Sequence, residues 1–122
     1  MSDKGVIVKG LPKSAVDRIK RALKLTDPEM GALLGMSSKS VGRLRKRAQH
    51  LLGPKASDRL YRVARIFAFA KEVLEDERLA REWLSTPQIG LGGRIPLSLL
   101  VTGVGAREVE DLLGRIEYGV LP

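Results

Sequence analysis

Between Thr26 and Ala48 the sequence is punctuated so closely that its backbone has few paths open to it. Thr26-Asp27-Pro28-Glu29 reads as a helix start. Thr26 or Asp27 can accept from free N–H groups, Pro28 has no donor to leave unpaired, and Glu29 suits the positive end of the helix dipole. Met30, Leu33 and Leu34 form the buried side of this short helix, and Gly35 ends it by taking a positive φ. Met36-Ser37 then makes the turn, with Ser37 or Ser38 as cap of the next helix. That helix, roughly Ser38 to Ala48, repeats Val41, Leu44 and Ala48 at helical spacing.

Two short helices joined by a tight turn, the second with a basic outer face, is the pattern of a helix-turn-helix. In that geometry the second helix enters the major groove of DNA. Its outward residues Ser38, Lys39, Ser40 and Arg43 would reach base edges, while Arg45, Lys46 and Arg47 would hold phosphates. The competing reading is a solvated basic face on a three-helix bundle. Turn chemistry, caps, core spacing and charge coincide here, which favours DNA.

Net charge supports the same division. The chain carries +8 overall, but residues 1–55 hold thirteen basic against four acidic side chains, a net +9, and the remainder is near balance at −1. A field confined to one module attracts phosphate better than the same charge spread evenly.

Upstream, residues 1–11 alternate weakly through Val6, Ile7 and Val8 and fit either a short strand or an unpaired arm. Pro12 opens a helix to Leu25 with Ala15, Ile19, Ala22 and Leu23 as its apolar stripe. Downstream, Leu52-Gly53-Pro54-Lys55 marks a module boundary, giving an arm over 1–11, a helix-turn-helix module over 12–53 and a second helical module over 54–122. Ala56-Ser57-Asp58 starts a long helix to about Glu75. Within it Ile66-Phe67-Ala68-Phe69-Ala70 is apolar on every side, the mark of a helix surrounded by other elements or used in a dimer interface. A shorter helix follows from Asp76, with Leu79, Ala80, Trp83 and Leu84 as one face and Trp83 as a core anchor. Pro87 stops it.

Gly90, Gly92 and Gly93 tempt a phosphate-loop reading. There is no Gly-Lys-Ser/Thr sequence, no preceding strand and no acidic partner at the right distance, so they read as a tight reversal before Pro96 opens the helix Leu97–Val101. Thr102-Gly103-Val104-Gly105 breaks the chain again. From Ala106 a last helix buries Val109, Leu112, Leu113 and Ile116 and exposes Arg107, Glu108, Glu110, Asp111, Arg115 and Glu117, with i,i+4 pairing such as Asp111 with Arg115.

The fold class is therefore all-α, in two parts. With no cysteine, one histidine (His50) and no serine beside a base, no catalytic constellation, metal site or cofactor site emerges, and the chain is expected not to be an enzyme. No small-molecule substrate is expected. No apolar run reaches about 18 residues and no leader segment is visible, so no membrane association is expected and the cytoplasm is the expected location. Tyr118-Gly119-Val120-Leu121-Pro122 is too apolar for a free tail and suggests a protein partner.

From Ala56-Ser-Asp-Arg-Leu-Tyr-Arg-Val-Ala-Arg onward, the second half resembles the toxin-binding domain of Xre-type antitoxins. The resemblance runs through Ala80-Arg-Glu-Trp-Leu, Thr86-Pro and Gly92-Gly-Arg-Ile-Pro-Leu-Ser-Leu-Leu to Ala106-Arg-Glu-Val-Glu-Asp-Leu-Leu-Gly-Arg-Ile-Glu-Tyr-Gly-Val. These antitoxins are paired with RES-domain toxins in bacteria. The resemblance covers 56–122, and the N-terminal helix-turn-helix also fits the family.

It implies a helix-turn-helix module followed by a small helical toxin-binding domain. The implied partner is a RES-domain toxin that consumes NAD, neutralised by covering its active-site entrance, and the implied second partner is operator DNA, bound as a homodimer or as a complex with toxin. Carried over by position, the turn at Gly92, Gly93 and Arg94 would meet the toxin. So would the last helix, through Arg107, Glu108, Asp111, Arg115 and Glu117, and the end of the chain from Tyr118 through Gly119 and Val120 to Leu121. The runner-up is a stand-alone repressor whose second half dimerises or senses a ligand. A third reading is a pure protein-binding inhibitor with a vestigial helix-turn-helix.

Overall fold

The computed structural model of the chain describes residues 13–46 and 52–119, except the side chains of Lys13, Arg45 and Lys46. The expected arm over 1–11, the residues Ala48 and His50, and the Val120–Pro122 end lie outside the described residues. Among those described there are seven α-helices and no strand: α1 Lys13–Leu23, α2 Asp27–Leu34, α3 Ser38–Lys46, α4 Pro54–Leu74, α5 Glu77–Ser85, α6 Pro96–Leu99 and α7 Gly103–Glu117, with one 3-10 turn at Ile89–Leu91. The chain divides into two compact units, Met1–Tyr61 and Arg62–Pro122. The division falls inside α4, whereas the composition change at Gly53-Pro54 falls where that helix starts. Leu60 belongs to the core of the first unit, which is why that unit reaches past the turn.

In the first unit α2 is held by the capping box read from the sequence. The Glu29 N–H donates to Thr26 Oγ1 at 3.2 Å and the Thr26 N–H donates to Glu29 Oε1 at 2.7 Å. Gly35 closes the helix at φ 75°. Ser37 is the cap of α3, its Oγ accepting from the Ser40 N–H at 3.0 Å. Around this turn Val16, Met30, Leu34, Val41, Leu44, Leu52 and Leu60 form one buried cluster, with Ala15, Ile19, Leu25, Met36 and Ala56 packed against it. Helix α1 ends before the expected Leu25, and the expected start at Pro12 lies outside the described residues. It stops at Leu23 because Lys24 turns left-handed (φ 56°), and the Leu25 N–H then reaches back to Lys20 O at 2.9 Å. Its buried residues are Val16 and Leu23, with Ala15 and Ile19 only half-buried.

In the second unit the rest of α4, α5, α6 and α7 bury Val63, Ile66, Phe67, Ala70, Ala80, Leu84, Leu97, Ala106, Val109, Leu112 and Leu113. α6 packs on both α5 and α7, and the 3-10 turn packs on α7. The apolar run of α4 departs from expectation. Ile66, Phe67 and Ala70 are buried, but Ala68 is exposed and Phe69 half-buried, so the helix is covered on one side and not all round. Lys71 Nζ stands 4.7 Å from the Phe67 ring centre. Trp83 is half-buried rather than a fully enclosed anchor, and Leu79 is exposed; Ala80 and Leu84 carry the buried face of α5. Ile116 is likewise half-buried.

The last helix also differs from its expected start at Ala106. It begins at Gly103, because Thr102 Oγ1 accepts from the Gly105 N–H at 2.9 Å and caps the free end there. The glycines are thus within the first turn of α7, and the chain break lies at Leu100–Thr102. Arg62 fixes that break from α4 by donating to Leu100 O at 3.0 Å.

Candidate functional site

The first candidate surface is the outer face of α3. Val41 and Leu44 turn inward, and Lys39 and Arg43, four residues apart, are both exposed on the opposite side. Ser38 is exposed at the start of the helix. Ser40 is half-buried, and its hydroxyl accepts from Ser37 Oγ at 3.0 Å, so the N-terminal cap engages it. The side chains of Arg45 and Lys46, and all of Arg47, lie outside the described residues. At the far end of the turn Lys20 pairs with Asp27 at 3.5 Å, which ties α1 to the start of α2. A rigid two-helix turn with Ser38, Lys39 and Arg43 exposed on α3 can offer hydrogen-bond donors and positive charge to a groove.

The second surface lies in the other unit and is built from the reversal at 88–94 and from α7. Gly92 (φ 67°) and Gly93 (φ 82°) take the left-handed conformation that lets the chain return on itself. Gln88 and Arg94 close the reversal as an antiparallel bridge, with the Gln88 N–H donating to Arg94 O at 3.1 Å and the Gly93 N–H donating to Gln88 O at 2.9 Å. The Gln88 amide also donates to Trp83 O at 2.8 Å, which fastens the turn to the end of α5. The N–H groups of Gln88, Leu91, Gly92, Gly93 and Arg94 all bond within the loop, and the two left-handed glycines act as its joints.

Arg94 links the turn to α7. Its Nε donates to Leu91 O at 2.6 Å and its Nη2 donates to Glu108 Oε1 at 2.8 Å. Two residues further along, Glu110 is engaged by Arg65 of α4. Glu108 and Glu110 of α7 are therefore used between elements. The expected i,i+4 pair of Asp111 with Arg115 is not made, and among the described residues neither of the two forms an ion pair. Arg107, Asp111 and Glu117 are exposed, Arg115 is half-buried, and Tyr118 is 80 % exposed. Glu110, Asp111, Gly114, Arg115 and Tyr118 line an open groove of about 400 Å³. Gly119 follows with φ 75°; Val120 and Leu121 lie outside the described residues.

The structure therefore brings Gly92, Gly93, Arg94 and Glu108 together with the charged face of α7. It also exposes apolar residues that sequence reasoning passed over. Ile89 is 95 % exposed and Val104 75 % exposed, and Ile95 is exposed as well. Of the six large hydrophobic residues exposed among those described, only Tyr61 is outside the second unit. The signal for Ile89 was present but faint: a lone isoleucine between Gln88 and Gly90, in a loop with no helical repeat to assign it a face. Among the described residues no cluster of three or more His, Asp or Glu could hold a metal ion, and no helix is long and apolar enough to cross a membrane.

Comparison with known proteins bears on both surfaces. Residues 69–119 match the pattern of the Antitoxin Xre/MbcA/ParS C-terminal toxin-binding domain, and residues 4–65 match the Antitoxin Xre-like helix-turn-helix domain. An antitoxin Xre of Yersinia enterocolitica is 37 % identical over 112 residues, which cover 91 % of this chain and 75 % of the relative. An antitoxin Xre of Photorhabdus laumondii is 30 % identical over 117 residues, covering 95 % and 78 %. Among solved structures, a chain of the M. tuberculosis MbcT-MbcA toxin-antitoxin complex superposes with a TM-score of 0.66 at 27 % identity, over 90 % of this chain and 96 % of that one.

Proposed function

The chain belongs to the Xre antitoxin family, and from that premise we propose that it neutralises a RES-domain, NAD-consuming toxin by covering the entrance to its active site and represses its own operon by binding operator DNA. Its named relatives are antitoxins, a non-enzymatic role, so the work is done by binding surfaces.

The observation that carries the toxin half is the bond set of Arg94. By holding Leu91 O and Glu108 together it joins the glycine reversal to α7, so that two stretches far apart in sequence offer one surface, inside the segment that matches the toxin-binding domain. Pre-joined elements lose less freedom on docking than independent loops would. Exposed Ile89 supplies the apolar area such an interface needs beside the charged face of Arg107, Glu108, Asp111, Arg115 and Glu117. A protein laid across a cleft mouth inhibits by excluding the nucleotide and needs no chemistry of its own.

For the DNA half, Arg43 and Lys39 would read base edges on the exposed side of α3 with Ser38 at its start, and Arg45, Lys46 and Arg47 would hold phosphates. Ser40 is the weakest member of that set, because its hydroxyl already serves the cap. Two copies of the chain would present two such helices to adjacent half-sites.

The deciding experiment is co-expression with the product of the adjacent gene, read as growth rescue and copurification. Rescue with a stable complex is expected; absence of both overturns the toxin reading and leaves a stand-alone repressor. Truncation after Arg115 is expected to abolish rescue while an operator shift assay stays intact. Full rescue by the truncated chain would place the inhibitory contacts on the turn and the helix face alone.

A further inference from the structure

Gly114 stands in the last full turn of α7 with no structural reason to be glycine. Its φ is not positive, and a Cβ built there meets nothing within 4 Å. The other two glycines of the helix differ: Gly103 is its first residue, and a Cβ on Gly105 would meet the carbonyl oxygen of Leu99 at 2.1 Å. Glycine is the poorest helix former after proline, so at position 114 the chain gives up helix stability without a return inside its own fold. What glycine supplies is bare backbone that another molecule can approach closely.

The surroundings of Gly114 indicate what approaches. It lies in the groove of about 400 Å³ with Glu110, Asp111, Arg115 and Tyr118. Arg65 engages Glu110, but Asp111 and Arg115 pair with nothing among the described residues, and the Tyr118 ring is 80 % exposed. With Arg65 on Glu110, Asp111 and Arg115 leave the groove one charge of each sign, and the exposed ring of Tyr118, whose face attracts cations, is what favours a positive group there. The groove falls within residues 69–119, the part that matches the toxin-binding domain.

Resting on the toxin reading above, we infer that this groove receives a basic side chain of the toxin, its aliphatic stem lying on the bare helix at Gly114 against Tyr118 and its cationic head meeting Asp111. The groove is an anchor point. Removing its open floor weakens the complex even as it strengthens the helix.

That opposition gives the test. The full-length chain and its Gly114→Ala, Gly114→Gln and Asp111→Asn variants are titrated calorimetrically with the purified product of the adjacent gene, and each variant is melted alone. Gly114→Ala is expected to raise Tm by roughly 3–8 °C, as an interior glycine-to-alanine change does in a small domain, while weakening toxin binding about tenfold through overpacking. Gly114→Gln is expected to weaken it about a hundredfold, and Asp111→Asn to weaken it and flatten its salt dependence. A lower Tm for Gly114→Ala overturns the inference, because the fold would then need the glycine. Unchanged affinity in both Gly114 variants, with the wild-type chain still binding, overturns it and leaves the toxin reading standing. Altered self-association of the chain with intact toxin affinity overturns it in favour of a second copy as occupant. No complex with the wild-type chain overturns the toxin reading and the inference together.

Discussion

At position 105 an added Cβ would stand 2.1 Å from the Leu99 carbonyl oxygen and 3.1 Å from the Leu99 Cβ. The nearest obstacle is backbone, so no side-chain rotation relieves the clash. Gly105→Ala is therefore expected to destabilise the chain by about 1–3 kcal/mol, the usual cost of overpacking, and differential scanning calorimetry would register a lower Tm. Glu75 is the opposite case. It closes α4 at φ 59°, in a region that a side chain other than glycine occupies at a cost, and its N–H still donates to Lys71 O at 2.7 Å. Glu75→Gly is expected to stabilise by roughly 0.5–1 kcal/mol, since relief of the left-handed strain exceeds the added freedom of the unfolded chain. A denaturant midpoint that moved down instead would mean that the Glu75 side chain is held by contacts stronger than that strain.

At the scale of elements, three helix starts were legible from a hydroxyl or carboxylate that caps locally, whereas the Thr102 cap of α7 was hidden behind the glycines that follow it. Thr26 with Glu29, Ser37 and Asp76 each bond the backbone N–H three residues ahead, so the residues alone reveal the geometry. The short apolar face of α2 and the core residues of α3 followed from spacing for the same reason. What sequence did not reveal depends on distant partners. Gly105 looked like a breaker because its reason for being glycine is the backbone of another helix, and Ala68 looked enclosed because a continuous apolar run carries no information on which side is covered. Of the candidate toxin surface, the reversal at Gly92 and Gly93 was readable, but the Arg94–Glu108 link across fourteen positions was not, nor was the exposure of Ile89. That link sets a prediction at this scale. Both partners are about half exposed, at 52 % and 42 %, so the ion pair itself contributes little to stability. Arg94→Met is expected to change unfolding free energy by no more than about 1 kcal/mol yet to weaken toxin binding, because the reversal would no longer be held to α7. A loss of stability equal to the loss of binding would assign Arg94 to the fold alone.

For the whole molecule, the unequal charge of the two halves is the property that no single residue carries. Residues 1–55 bear a net +9 and residues 56–122 a net −1, so DNA affinity should depend on salt through the first half only. Each phosphate contact releases condensed counterions and adds about 0.9 to the slope of log affinity against log salt. Lys46→Gln, in the phosphate-holding set, is expected to weaken binding to operator and unrelated DNA alike and to lower the slope by about one. Arg43→Ala, on the exposed side of α3, is expected to cost about 1–3 kcal/mol on operator DNA and much less elsewhere, because a lost base contact removes discrimination. Arg107→Glu reverses an exposed charge of the second half and should leave the slope unchanged while impairing toxin binding. Fluorescence anisotropy across a salt series measures all three. If Arg107→Glu altered the slope as much as Lys46→Gln did, phosphate contact would extend into the second half, and DNA and toxin would compete for the same charged helix.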